Sequence, residues 1–174
     1  ADAVYIGASA FGARYSAAND PDDIARLIDY ARPFGAKVYI TLNTLLFDHE
    51  VEAARALAFR LADLGADALI VQDMAYATFG LPLPLHASTQ AATLTPQRAK
   101  LLEAAGFRRI VTERAFSLEQ IEAIHRAAPG TELEAFVHGA ICVSYSGQCY
   151  LGEVVSGRSG NRGVCSQPCR NTYN

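Results

Sequence analysis

No apolar run in this chain reaches the roughly 20 residues that a membrane-spanning helix needs. The N-terminus lacks the basic, apolar and small-residue succession of a signal peptide, so an exported disulfide scaffold is disfavoured and a cytoplasmic location is expected. There is no initiator Met. ADAVYIG opens directly on a strand and reads as part of something longer. No Gly-x-Gly-x-x-Gly follows the first strand and no Walker-type loop occurs, so the usual marks of a nucleotide-binding sheet are missing. His-Glu-x-x-His and Gly-x-Ser-x-Gly are absent as well, leaving no metalloprotease helix and no nucleophile elbow. Charge of one sign is not in excess either. Fifteen basic and 18 acidic residues give a net charge of −3, which supplies no global field toward nucleic acid or anionic membrane.

What is present is one soluble domain's worth of core: 174 residues, 51% of them hydrophobic and 19% charged. The chain repeats a short apolar strand, a loop, and a helix closed by glycine. Strands are predicted at 3–6, 37–42, 68–71, 83–86, 108–112 and 133–137, apolar on both faces as buried parallel strands are. Pro82 and Pro84 weaken the fourth of these. Helix starts are marked by Asp20-Pro21, Thr95-Pro96, Asp48 before a helix running to Leu64, and the capping box Ser117-Leu118-Glu119-Gln120. Gly35, Gly65, Gly106 and Gly130 fall at predicted helix ends. Val51, Ala54, Leu57, Ala58 and Leu61 share one helix face and are expected to pack on the sheet.

Repeated βα units build either a doubly wound sheet or a barrel. Without a nucleotide fingerprint, the expected fold is an α/β (β/α)8 TIM-type barrel. It is incomplete here: about six βα units over residues 1–138, then a Cys-rich segment, 139–174, after a late strand. In such barrels chemistry gathers at the C-terminal strand ends. Those ends carry Asn43, Gln72, Asp73, His86, Gln90, Glu113, Arg114 and His138. Alone, Asn43 and Asp73 read as caps or turn formers, Arg114 as a pairing partner, and each histidine as structural. Their shared place in the repeat is what suggests a binding mouth.

The cysteines are more specific. Cys142, Cys149, Cys165 and Cys169 all lie in the last quarter of the chain, with six, fifteen and three residues between them. Reducing conditions disfavour two disulfides, and the clustering disfavours independent buried thiols. Zinc on four thiolates and an iron–sulfur cluster on the same four are both open to this spacing. A nucleophile–base pair of Cys142 or Cys149 with His138 has nothing to fix its geometry. Around the cysteines, Arg158, Arg162 and Arg170 form a local basic patch, with no acidic residue after Glu153. Arg158 and Arg162 are candidate phosphate contacts, because a guanidinium fork matches phosphate oxygens.

The run EAFVHGAIC ending at Cys142, followed by SYSGQC ending at Cys149, resembles the signature of the collagenase-like peptidases, peptidase family U thirty-two. GRSGNRGVCSQPCR is similar to its continuation in bacterial members, and ADAVYIG, KVYITLNTL, GADALIVQD, LHASTQ and RRIVTERAFS are similar to successive strands of that family's barrel. The resemblance covers essentially the whole chain. It implies either proteolysis, after which the family was named, or hydroxylation: its members include proteins for hydroxylation of ribosomal RNA, of the tRNA wobble uridine, and of ubiquinone without oxygen. Several carry an iron–sulfur cluster (4Fe-4S) on four cysteines, so Cys142, Cys149, Cys165 and Cys169 are the implied ligands, with zinc the alternative. RNA is the implied partner, no membrane is, and the remaining barrel segments are expected from the parent chain or a partner subunit. The other readings are a peptidase and a non-enzymatic subunit that holds a cluster or zinc.

Overall fold

The computed structural model describes residues 1–172. Six strands, β1 (Ala3–Gly7), β2 (Lys37–Leu42), β3 (Ala68–Val71), β4 (Leu85–Ala87), β5 (Arg109–Val111) and β6 (Glu132–Glu134), form one sheet. All pairs are parallel and follow chain order, which curls the sheet into a half-barrel. A doubly wound sheet would instead reverse its order at a switch point. Helices α1 (Pro21–Ala31), α2 (Val51–Asp63), α3 (Pro96–Ala104) and α4 (Leu118–Ala127) fill four crossings, and α5 (Leu151–Ser156) lies within the cysteine segment. Between β3 and β4 the crossing is a 3-10 helix, Met74–Thr78, whose fully buried Tyr76 takes the place of a helix face.

The helix starts follow local chemistry. Asp20 accepts the amide of Asp23 at 2.8 Å, and Thr95 that of Arg98 at 3.2 Å. Ser117 and Gln120 exchange side-chain and backbone bonds at 2.9 and 3.3 Å. Such caps each contribute about 1 kcal/mol. Asp48 does not cap α2. Residues 48–50 form a 3-10 turn, and it is Glu50 whose carboxylate reaches back to the amide of Phe47, at 2.8 Å. Gly130 is not a left-handed helix end either. α4 stops at Ala127, and the Gly130 amide donates to Glu103 Oε1 at 2.6 Å.

The sheet has two chemically different faces. Val38, Ile40, Leu42, Leu69, Val71, Leu85, Ala87 and Ile110 join Ile24, Ala54, Ala58, Leu61, Leu102 and Ile124 in the core under the helices. Val51 and Leu57 pack against that core, so the predicted α2 face is the buried one. The inner face begins with a small cluster of Tyr39, Ala68 and Ile70, then turns polar through His86, Arg109, Glu132 and Glu134. β4 starts only at Leu85, because Pro84 lacks the N–H a ladder needs. β6 is an edge strand, paired among the described residues with β5 alone. It ends at Glu134, so residues 135–137 leave the sheet and Val137 is 99% exposed.

Candidate functional site

The strand C-termini are stitched into one rim. Asn43, after β2, accepts the amide of Ala13 at 2.9 Å and donates to Ser88 Oγ, after β4, at 3.1 Å. Asp73, after β3, accepts from the amides of Leu46 and Ala75 at 3.0 and 2.9 Å. These two residues therefore fix loops to one another, and both of their polar ends are already spoken for. His86 is not at the rim. It sits in the middle of β4 on the inner face, edge-on to Tyr39 at 4.9 Å. The Arg109 guanidinium lies over the same Tyr39 ring and pairs with Glu132 at 2.6 Å and Glu134 at 3.2 Å. Burial first, and the Arg109 charge second, lower the His86 pKa to about 4, so its imidazole is neutral near pH 7.

The cysteine segment lies across this rim as a strap. Glu113, only 7% exposed at the end of β5, accepts the Ser146 amide at 2.8 Å and its hydroxyl at 3.3 Å. Beside it, Gly147 adopts φ 70° directly against the carbonyl of Gln90, closer than any Cβ could come. At the other end of the strap, the amide of Leu45 donates to the Asn161 carbonyl and that of Tyr15 to the Gly163 carbonyl, both at 3.2 Å. The strap thus joins the β4 and β5 loops to the β1 and β2 loops. The sequence marks Ser146 and Gly147 by no more than their position inside the SYSGQC motif.

Arg162, a predicted phosphate contact, is the lock of that second anchor. Its guanidinium is bidentate to Glu50 at 2.8 and 2.5 Å, also donates to the Leu45 carbonyl, and lies 4.5 Å above the Phe47 ring. The two side chains are 28% and 17% exposed, so salt screens the pair only in part. Arg158 remains exposed. Replacing Arg162 with Ala should cost about 2–3 kcal/mol in the docking of residues 157–164, since it strands a half-buried carboxylate. Faster amide exchange confined to those residues is the expected reading. The hydrogen bonds from Arg162 hold the Glu50 pKa below its ordinary 4.5 against the opposing cost of burial. A depressed carboxylate stabilises above its unfolded pKa, so the lock is at full strength near neutral pH and is lost as acid protonates Glu50 through its folded value.

All four cysteines are free, with Cys142, Cys165 and Cys169 exposed and Cys149 half-buried. Cys165 Sγ accepts the amide of Gln167 at 3.4 Å, and Gln167 itself holds a left-handed φ of 54°. Gly160 lies against the Cys165 side chain and the Cys149 carbonyl, and α5 packs on the 3-10 turn Pro168–Arg170 that carries Cys169. Among the described residues no three His, Cys, Asp or Glu side chains are assembled as a metal-holding group. The donor chemistry nevertheless fits: four thiols, one already accepting a backbone N–H, suit zinc or an iron–sulfur cluster. Two more predicted residues, Arg114 and His138, line a cavity of about 340 Å³ with Arg14, Phe136 and Ala140. Gln90 contributes to the rim through its backbone, its amide donating to Ser88 Oγ at 3.2 Å.

The model of Peptidase family U32 matches residues 1–174. The chain belongs to peptidase family U32. Within this family it is 52% identical over 174 residues to the 23S rRNA 5-hydroxycytidine C2501 synthase of Escherichia coli K12. It is 36% identical over 179 residues to tRNA hydroxylation protein P of Helicobacter pylori, and 28% identical over 187 residues to a collagenase of Porphyromonas gingivalis. Each match takes in 99% of this chain but only 26%, 42% and 45% of those relatives. Among solved structures, the U32 peptidase Mk0906 superposes with a TM-score of 0.66 at 20% identity, over 78% of this chain and 60% of that one. That likeness concerns the fold. No helix among the described residues is long and apolar enough to cross a membrane.

Proposed function

We propose that this U32 chain is part of an iron–sulfur enzyme that hydroxylates a base in RNA, with a ribosomal RNA cytidine as the substrate. The observation that carries the reading is the cysteine strap, anchored across the C-terminal rim where barrel enzymes keep their chemistry. Relatives named for RNA hydroxylation, one of them 52% identical along the whole chain, support the substrate class. Cys142, Cys149, Cys165 and Cys169 are the ligands in this reading. Hydroxylation of a base is an oxidation, and zinc has no redox chemistry, which favours a 4Fe-4S cluster over zinc. When bound, with a thiolate on each iron, the cluster would supply electron transfer. The protein's own contribution is positioning. Glu113 and the Arg162–Glu50 pair hold the two ends of the strap, while Asn43 and Asp73 hold the loops beneath it.

Two further strands, from the parent chain or a partner subunit, would complete the (β/α)8 barrel. The free edges of β1 and β6 and the half-exposed Tyr5 support that closure. The cytoplasm is where RNA and reduced thiols coexist. A peptidase reading would need a base beside a nucleophile; His138 stands exposed, and among the described residues the Nδ1 of His86 has no hydrogen-bond partner. Nucleoside mass spectrometry of ribosomal RNA tests the proposal. Deleting the parent gene should remove one hydroxycytidine, and the wild-type gene should restore it. An unchanged nucleoside profile together with gelatin cleavage by the purified protein would give the peptidase reading its place.

A further inference from the structure

The cavity lined by Arg14, Arg114, Phe136 and His138 has a chemistry of its own. It lies between the loop after β1 and the loops after β5 and β6. Neither Arg14 nor Arg114 has a carboxylate within ion-pair range among the described residues. The nearest acid in sequence, Glu113, is turned onto Ser146 and the Arg114 amide. Arg114 is held as a plane: its guanidinium lies 4.7 Å over Phe136, and its Nη1 donates to the Ala140 carbonyl at 3.4 Å. Among the described residues its Nε is buried without a hydrogen-bond partner. Two uncompensated cations facing one concavity favour an anion there, and the guanidinium fork favours phosphate geometry.

The rest of the wall specifies more than an anion. Phe136 is 45% exposed and presents ring surface beside the fixed guanidinium plane, the kind of platform on which an unstacked base rests. A volume of about 340 Å³ admits a single small ligand and is too confined for a duplex. We infer that this cavity binds one nucleotide of single-stranded RNA, its phosphate on Arg14 and Arg114 and its base against Phe136. His138, exposed in the same wall, is placed to donate to the phosphate or to a base edge. The inference rests on the RNA-hydroxylation reading and moves its basic footprint away from Arg162, which Glu50 neutralises.

The test uses the full-length parent protein, purified anaerobically, and a short fluorescein-labelled single-stranded RNA. Arg14 is exposed, so Arg14→Ala leaves the packing intact. It should weaken binding about tenfold and flatten the plot of log affinity against log salt by about 0.7, the loss of one phosphate contact. Phe136→Leu should weaken binding at an unchanged salt slope, because it removes stacking and no charge. Arg98→Ala, on the exposed face of α3, removes the same charge elsewhere and should change neither quantity. If Arg14→Ala and Phe136→Leu bind as the wild type does while the wild-type gene still restores hydroxycytidine, the nucleotide site is wrong and the enzyme assignment stands. If the wild-type gene restores no nucleoside, the functional reading itself fails. If Arg14→Ala and Arg98→Ala weaken binding alike, the effect is one of net charge and the site is again wrong.

Discussion

Replacing Gly147 with Ala is expected to lift the cysteine strap off the rim while the half-barrel stays folded and, under the proposed function, to abolish RNA modification by the parent protein. Gly147 has φ 70°, where an L-residue costs roughly 1–2 kcal/mol. The larger effect is steric. A Cβ built there would lie 1.9 Å from the Gln90 carbonyl oxygen and 2.8 Å from its carbon. Backbone cannot swing aside as a side chain can. Gln90 sits in the 3-10 turn Thr89–Ala91, closed by Ala92 in a left-handed conformation and tied to Ser88, so the strap is the part that yields. Its departure takes Ser146 from Glu113 and leaves a buried carboxylate without two of its donors, a further cost of about 2–3 kcal/mol. Hydrogen exchange at the Ser146 amide should therefore quicken about a hundredfold, with β2 and β3 amides unchanged. Wild-type exchange at Ser146 in the variant would show that Gly147 does not set the strap.

The sequence was most legible where the signal is local. Asp20, Thr95 and Ser117 cap the helices they announce, because a cap is decided within four residues. β2 and β3 run over the predicted residues, being buried and flanked by helix ends. The strand ends that differ have separate causes: Pro84 delays the start of β4, and the end of β6 follows from its single neighbour. β6 pairs on one side only, so apolar residues 135–137 gain too little from the ladder to stay in it. The site was legible in its residue types and illegible in its partners. Arg162 meets Glu50 across 112 residues of sequence, and no spacing rule pairs them. A strand ending at His86 puts that residue at the rim; β4 runs one residue further, to Ala87, which makes His86 an inner-face residue beside Tyr39 and Arg109. Nothing near Arg14 in the sequence marks it, because it gains meaning only when the β1 loop meets the β6 loop.

If the proposed cluster sits on these four thiolates, replacing Cys165 with Ser in the parent protein is expected to remove it and with it the hydroxylated nucleoside. The substitution exchanges a soft thiolate for a hydroxyl that iron binds poorly, with little change in volume. Cys165 is exposed, so the core under the helices does not feel the change and the unfolding temperature of the barrel should stay within experimental error. That separation makes the variant informative. Anaerobically purified wild-type parent protein should show a broad absorbance near about 400 nm from a four-thiolate cluster, and the variant should lose it. Because even outer-shell changes around a metal cost about 10–100-fold, loss of a ligand should lower the nucleoside at least about a hundredfold in a complemented deletion strain. Bound zinc in the wild type, without the absorbance, would instead make the centre structural. A variant that keeps both the band and the nucleoside would remove Cys165 from the ligand set. The Arg162→Ala variant supplies the contrast, since it loosens the strap from the side of Glu50 and leaves every thiol in place. If the strap's position over the rim is what matters, that variant should hold its cluster and still lose part of its modification. A cluster that served only to fold the segment would predict the reverse order of sensitivity.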